Sequence, residues 1–386
     1  MRGRTRYICS IILILLFLEP FVAVSEENRD ELSVRIDQIV SLDYPEIDAY
    51  VVVRNSEGKL VQGLAPGLFK YRIDSMEVNV KADVAPFSLK EIPVDYTILF
   101  SNSGIMEGEP LDFQKNAILQ FIDAMRPMDT LSLYTIGEEA TPVFEELKKE
   151  SIDVALVNEV TINNAQPRVY DSIINMVRKV SRRTIPRKVV IVISDGRDQN
   201  SRFTKEQLAT VLSETGLPLY SIGIRVLGSQ SLSNLNEMSD MTGGTYLYST
   251  KIANIPDNLK AITEIINQCY MISLRIRGVR SDGMPHYLEV TVDERDSYGK
   301  GEKTFIAVRN PIPKWMKILF VILIVLVLLI CVVFWILYRI RARKLMGITR
   351  RRCPDCGNRM KDSWDTCPFC KYLPNIKKKK RKGKDA

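Results

Sequence analysis

Histidine is almost absent from this sequence, and cysteine is scarce in most of it. The 386 residues include a single histidine, His286, so neither a Ser/His/Asp triad nor a histidine-rich metal site is expected. Of seven cysteines, only Cys269 lies between residues 26 and 313, so no intrachain disulfide can form there. No nucleophile–base pair, phosphate-binding loop or catalytic metal set is visible, and we predict that the protein is not an enzyme.

The net charge is distributed unevenly along the chain. The net charge of +8 combines about +13 in residues 339–386, +2 in residues 1–25 and −7 in the remainder. An acidic body with a basic tail does not indicate nucleic-acid binding along the whole chain. With 46% hydrophobic and 26% charged residues, the chain can bury sizeable cores in two or three domains.

The amino terminus has the pattern of a secretory signal. Three arginines precede an apolar stretch, Tyr7–Leu18, and small residues follow at Ala23-Val24-Ser25. This order predicts a signal peptide over residues 1–25, cleaved after Ser25. An uncleaved signal anchor is the alternative, although the apolar stretch is short for a membrane span.

A second apolar segment is long enough to cross a bilayer. Ile318–Leu337 is 20 residues without a charge, and it predicts a transmembrane helix over residues 316–338. Seven Lys or Arg residues occur in residues 339–352. Because positive charge stays on the cytoplasmic side, we expect a single-pass protein of the cytoplasmic membrane, with its body outside and its tail inside.

Four of the seven cysteines form two C-x-x-C pairs after this segment. The pairs are Cys353/Cys356 and Cys367/Cys370, separated by ten residues. Two such pairs can supply a tetrahedral set of four thiolates, so we predict a structural zinc site over residues 353–373. A disulfide or a redox C-x-x-C is the alternative, which a reducing cytosol argues against. The segment resembles small zinc-ribbon modules.

Strands and helices alternate in the body between residues 94 and 270. Apolar strands are expected at Tyr96–Phe100, Leu131–Ile136, Val189–Ile193, Leu219–Ile224 and Thr245–Tyr248. Helices are expected at Leu111–Met125, Ser151–Val160, Val169–Val180, Thr204–Ser213, Leu232–Met238 and Ile255–Asn267. This order predicts an α/β fold, with a mostly parallel, Rossmann-like sheet covered by helices on both faces.

Four blocks of sequence in and after these strands carry a family resemblance. Ser101-Asn102-Ser103-Gly104-Ile105, Ser194-Asp195-Gly196, Pro218–Ile224 and Met241–Tyr246 follow one another in order and spacing similar to the von Willebrand factor A (vWA) domain. The resemblance covers about 175 residues and is strongest to bacterial exported members of that family. It implies a binding module with a metal-ion-dependent adhesion site at the carboxyl ends of the strands.

The sequence departs from the family's metal-binding motif, Asp-x-Ser-x-Ser with a later Thr and Asp. Ser101 stands at the first Asp position, Ile105 at the second Ser position, and the Thr position falls near Pro167, whereas Ser103 and Asp195 are retained. A hard cation needs several oxygens and usually more than one carboxylate, so we do not expect magnesium here. Ser103 and Asp195 then either contact a ligand or only hold the loops in place.

The segments on either side of this domain have the alternating pattern of antiparallel strands. They cover residues 26–93 and 271–313, and each is small for an independent core. We therefore expect the two segments to pair into one β domain, into which the α/β domain is inserted.

Eight parts of the chain are thus predicted. They are a signal peptide at 1–25, a β-rich segment at 26–93, the vWA-like domain at 94–270, a β-rich segment at 271–313, the transmembrane helix at 316–338, a basic linker at 339–352, the zinc ribbon at 353–373 and a polybasic tail at 374–386. The tail is expected to be solvated or to lie on anionic lipid, with nucleic acid as a weaker alternative.

These features together predict a membrane-anchored protein that binds or scaffolds a protein partner outside the cytoplasmic membrane, in the cell envelope. The alternative is a transmembrane relay that couples outside binding to a cytosolic partner of the zinc ribbon; this would require dimerisation or clustering of the single helix. The sequence specifies neither the ligand nor the oligomeric state.

Overall fold

The computed structural model describes residues 30–77, 82–226, 231–276, 278–307, 314–345, 352–361 and 364–373. The predicted signal peptide and polybasic tail lie outside these residues. The described chain divides into two compact units, residues 1–310 and 311–386.

The first unit contains 15 described strands and six described α-helices. The strands are β1 (Asp30–Glu31), β2 (Ser33–Asp43), β3 (Glu46–Arg54), β4 (Phe69–Ile73), β5 (Met76–Glu77), β6 (Ala82–Pro86), β7 (Val94–Ser101), β8 (Thr130–Ile136), β9 (Ala140–Lys148), β10 (Arg187–Ser194), β11 (Leu219–Ile224), β12 (Tyr246–Ser249), β13 (Tyr270–Arg275), β14 (Pro285–Glu294) and β15 (Ser297–Ile306). The helices are α1 (Glu109–Ala124), α2 (Ala155–Glu159), α3 (Val169–Ser181), α4 (Lys205–Thr215), α5 (Leu232–Thr242) and α6 (Ile255–Asn267).

The central sheet has the strand order β12-β11-β10-β7-β8-β9 and is parallel except for β9. Strands β7 and β10 are buried along their whole length, which explains their continuous apolar sequence. Helices α1 and α6 contribute to the core on one face, and α3, α4 and α5 to the core on the other. The predicted α/β fold is confirmed.

Local differences from the prediction have physical causes. The segment predicted as a helix over Ser151–Val160 forms only the short helix α2, because its N-cap residue Val154 supplies no side-chain hydrogen bond to the first turn, and the Asp153 carboxylate before it accepts only from the Ala155 N–H. Strand β9 was not predicted, since its pairing with β8 is interrupted by register shifts and most of its residues are only partly buried.

The flanking segments form a β sandwich. Its sheets have the orders β1-β15-β14-β4-β5 and β2-β3-β13-β6, and an apolar core lies between them. Strand β13 pairs with β3 and β6, and β14 pairs with β4, so strands from before and after the α/β domain share each sheet. The pairing expected from the size of these segments is therefore observed, and the α/β domain is an insertion between β6 and β13.

A buried ionic network joins the sandwich to the inserted domain. The Arg187 guanidinium of β10 is fully buried and lies 2.8 Å from the Asp37 carboxylate of β2. The hydroxyl of Tyr220 also donates to Asp37, and Lys303 Nζ donates to the Asp37 carbonyl at 2.6 Å. Burial lowers the pKa of Lys303 to about 8, although the negative charge of Asp37 acts to raise it. Because an unpaired buried charge is costly, this network fixes the contact between the two domains.

The second unit begins with helix α7 (Lys314–Leu345). Within it, Ile318–Ala342 is apolar and long enough to cross a membrane, and its described residues are not buried by the rest of the protein. At 1.5 Å per residue, 25 residues span about 37 Å, which exceeds a hydrocarbon layer of about 30 Å. The four-cysteine segment follows as a small separate cluster around Cys353, Met360 and Cys367.

Candidate functional site

The first candidate site lies where the chain changes direction across the central sheet. From β7 the chain continues to β8 on one side, and β10 pairs with β7 on the other side. Residues Ile193 and Phe100 are register partners, so Asp195 and Ser101–Ser103 emerge next to each other at the carboxyl ends of these strands. Loops diverge at such a switch point and leave a crevice between them.

The crevice is a small polar cavity of about 150 Å³. Its lining comes from three loops and consists of Ser103, Gly104, Ile105, Asn164, Ala165, Gln166, Pro167, Asp195, Arg197 and Gln199. The retained positions Ser103 and Asp195 thus meet there, together with the replacements Ile105 and Pro167. Ser101 is buried behind them, with its hydroxyl oxygen 3.1 Å from that of Ser103.

Asp195 is buried and faces a cation supplied by the protein itself. Its Oδ2 lies 3.6 Å from Nε of Arg197, and its Oδ1 accepts a hydrogen bond of 3.3 Å from the Arg197 N–H. Burial raises the pKa of Asp195, although Arg197 opposes that shift. The Arg197 side chain lines the cavity and is 32% exposed.

Glycine at position 196 makes this turn possible. Gly196 has φ +72°, and a Cβ atom there would lie 2.5 Å from the Ser231 carbonyl oxygen. The backbone therefore passes too close to the start of α5 for any side chain. This close approach sets the direction in which Asp195 and Arg197 leave the strand.

The loops around the cavity are held by their own hydrogen bonds. Asn163 N–H donates to the Asn102 carbonyl at 2.8 Å, and Gln199 N–H donates to the Pro167 carbonyl at 2.8 Å. Asp198 accepts from the Tyr170 N–H and the Ser201 hydroxyl, so it fixes the start of α3, and it is not among the residues that line the cavity. The crevice is thus a preformed site.

The donor set does not fit a hard divalent cation. Among the described residues that line the cavity, Asp195 is the one carboxylate, and the Arg197 guanidinium already faces it. Magnesium requires several oxygen ligands in near-octahedral geometry, and here Ile105 contributes none. Sequence reasoning missed Arg197, although a cation two residues after the retained acid was a visible signal.

The second candidate site is the four-cysteine cluster. The Sγ atoms of Cys353, Cys356, Cys367 and Cys370 all lie within 4.8 Å of one another. Two of the pairs, Cys353–Cys370 and Cys356–Cys367, are 3.4 Å and 3.6 Å apart. Zinc–sulfur bonds of about 2.3 Å give tetrahedral edges of about 3.8 Å, so the four thiols fit a zinc ion.

The only histidine takes part in neither site. His286 lies in the sandwich, with Nδ1 2.6 Å from Asp74 and Nε2 3.4 Å from Asp282. The hydrogen bond that His286 Nδ1 donates to the Asp74 carboxylate raises the pKa of His286. These contacts give it a structural role between two loops of the sandwich.

These features define the inserted domain as an open α/β sheet with a binding crevice at its switch point. Residues 95–264 match the family model of the von Willebrand factor type A domain. The inserted domain is therefore a vWA domain, as its loop motifs indicated.

Solved structures with a similar fold have low identity to this chain. A von Willebrand factor type A protein from Catenulispora acidiphila is 12% identical over 74% of this chain and 76% of that one, with a TM-score of 0.42. An aerotolerance-related membrane protein from Bacteroides fragilis is 18% identical over 45% of this chain and 98% of that one, with a TM-score of 0.33. Proximal thread matrix protein 1 from the mussel byssus, with a zinc-occupied MIDAS motif, is 17% identical over 50% of each chain, with a TM-score of 0.41. No curated protein matches the sequence.

Proposed function

We propose that this protein is a membrane-anchored binding protein whose vWA domain holds a protein partner through the Arg197 crevice, without a metal ion. The partner lies outside the cytoplasmic membrane, and the four-cysteine module holds zinc in the cytoplasm. Helix α7 serves as the anchor, supported by its length, its apolar composition and its exposed side chains. The basic residues after it support this orientation.

The observation that carries the proposal is the pairing of Asp195 with Arg197. A guanidinium beside Asp195, the one carboxylate among the described residues that line the cavity, supplies the positive charge that a metal would otherwise bring. It is partly exposed, so its remaining N–H groups can donate to an acidic side chain of a partner. Asn164 and Gln199 also line the cavity, and their amide groups would complete the recognition of the carboxylate.

The preformed loops support binding rather than chemistry. Their backbone hydrogen bonds are already in place, so a partner would order few groups on docking. A small polar cavity of this kind suits one side chain from a protein surface.

The proposal is tested by capturing partners from the envelope fraction with the full, zinc-loaded chain in buffer that contains no magnesium. The wild-type chain should retain a specific protein, and Arg197→Glu should lose it, because the substituted carboxylate repels the partner's acidic group. Arg182→Glu is the matched control, since Arg182 follows α3 at the opposite end of the same domain and should leave capture unchanged. Capture that requires magnesium, or that survives Arg197→Glu, would contradict the proposal.

A further inference from the structure

The two halves of the four-cysteine cluster have the same backbone. In the first, Gly357 N–H donates to the Cys353 carbonyl at 2.9 Å, and Cys353 N–H donates to the Asn358 carbonyl at 2.8 Å. In the second, Lys371 N–H donates to the Cys367 carbonyl at 2.8 Å, and Cys367 N–H donates to the Tyr372 carbonyl at 2.9 Å. We call these halves the first and second knuckle.

Their side chains are opposite in character. The first knuckle carries Asp355, Gly357, Asn358 and Arg359, and the equivalent positions of the second are Phe369, Lys371, Tyr372 and Leu373. Phe369 is 65% exposed, Leu373 69% and Tyr372 39%. The second knuckle therefore presents three large apolar side chains on a module in which only a few of the described residues are buried.

Lys371 is a further difference between the knuckles. It has φ +55°, in the left-handed region, where the first knuckle has Gly357 at φ +70°. A residue other than glycine is disfavoured there, so the lysine side chain is present at a conformational cost that glycine in the first knuckle avoids. Lys371 is exposed, so its ammonium group lies at the surface beside the apolar side chains.

The bilayer is the surface that is always within reach of this knuckle. Arg352 comes seven positions after Leu345, the last residue of α7, so the chain between them spans at most about 25 Å. Residues 339–386 contain 17 Lys or Arg against 4 Asp or Glu, which attracts this part of the protein to anionic lipid. Apolar side chains next to cations are typical of groups that bind the membrane interface.

We propose that the second knuckle docks on the bilayer that α7 crosses. Phe369, Tyr372 and Leu373 enter the headgroup region, Lys371 pairs with an anionic lipid, and the first knuckle faces water. This inference rests on the proposed membrane anchor. It gives the zinc module a function, because the docking face exists only while the four thiolates hold the two knuckles together.

The test uses the full chain in membranes that contain anionic lipid, with a benzophenone amino acid placed at position 369 or, as the matched control, at position 355. Irradiation should give lipid adducts at position 369 in at least about fivefold higher yield than at position 355, since only the second knuckle enters the interface. Mass spectrometry of the adducts identifies the occupant. Predominantly protein adducts at 369, or equal lipid yields at both positions, would overturn the proposal.

Lys371→Gly separates docking from folding. The substitution should strengthen the knuckle, because glycine relieves the left-handed strain, and should still lower the lipid adduct yield about fivefold through loss of one cation. An unchanged yield would contradict the role of Lys371. Resistance of the whole chain to carbonate extraction reports the anchor separately, so a chain that stays in the membrane without lipid adducts refutes docking alone.

Discussion

The vWA crevice and the four-cysteine module differ in the ligands that they offer and in what holds them in place. The module keeps all four ligands at spacings that fit zinc, and few other buried residues hold it together. The crevice keeps one acid, faces it with Arg197, and is positioned by a large sheet with cores on both faces. A small module depends on its metal for folding, whereas the shape of a site on a large domain is maintained by the packing of that domain.

The largest expected effect is on the module. Cys356→Ser should reduce bound zinc from about one per chain to almost none and unfold residues 352–373, because structural zinc contributes on the order of 10 kcal/mol to such modules. Zinc analysis and hydrogen exchange of the full chain measure this. Cys331→Ser, which changes an exposed cysteine of α7, is the control and should keep the zinc. A Cys356→Ser chain that retains zinc would show that other groups bind it.

The second prediction concerns the stability of the vWA domain, which should fall when the turn at Gly196 is altered. Gly196→Ala should cost about 2 kcal/mol or more of unfolding free energy, through its positive φ and the approach to the Ser231 carbonyl. Gly216→Ala is the matched control: Gly216 also has a positive φ, but a Cβ atom at that position would have no neighbour within 4 Å, so the cost should be smaller. Urea denaturation gives both values. Equal losses of unfolding free energy in the two variants would mean that the contact with the Ser231 carbonyl does not destabilise the alanine variant.

Oxygen ligands introduced into the crevice should allow it to bind a metal ion. Ser101→Asp, Ile105→Ser and Arg197→Ser together restore oxygen ligands and remove the guanidinium, so the triple variant should bind magnesium with a Kd of about 1 mM or tighter. Calorimetry measures the gain relative to Arg197→Ser alone. If the folded triple variant takes up no magnesium, the loop geometry rather than the ligand set prevents binding.

The smallest effect concerns the charge of Asp195. Burial raises its pKa in the folded protein, so the folded state holds the proton more tightly than the unfolded state does. Stability from this group is therefore greatest at low pH and is lost as pH rises from the unfolded pKa, near 3.8, through the folded pKa. Asp195→Asn should remove this loss and slightly raise the stability at pH 7. Urea denaturation at pH 4 and pH 7 checks this, and a marked destabilisation at pH 7 would contradict it.

Much of the fold was predictable because its strands and helices bury continuous or periodic apolar residues. The bounds of β11 and α6 agree with the expected Leu219–Ile224 and Ile255–Asn267. Strands β2 and β15 were not predicted. Their burial patterns mix buried and exposed positions, and β15 also pairs with β1 from the far end of the sandwich sequence, with Asp30 opposite Ser297. Such strands depend on distant partners more than on a local apolar pattern.

The two candidate sites also differ in how far the sequence alone could predict them. The four cysteines are close in sequence, so their spacing alone predicts the cluster. The role of Arg197 depends on the burial of Asp195 and on the turn at Gly196, which only the folded loops reveal. Likewise, Asp198 could be identified as a residue that fixes helix α3 only from its contacts with Tyr170 and Ser201.

The most direct test of the central claim is calorimetric titration of the full, zinc-loaded chain with magnesium and with manganese. If Arg197 supplies the charge at the crevice, neither ion should give a stoichiometric site tighter than about 100 μM, and Asp195→Ala should not change the trace. A stoichiometric site of that affinity in the wild-type chain, abolished by Asp195→Ala, would contradict the account.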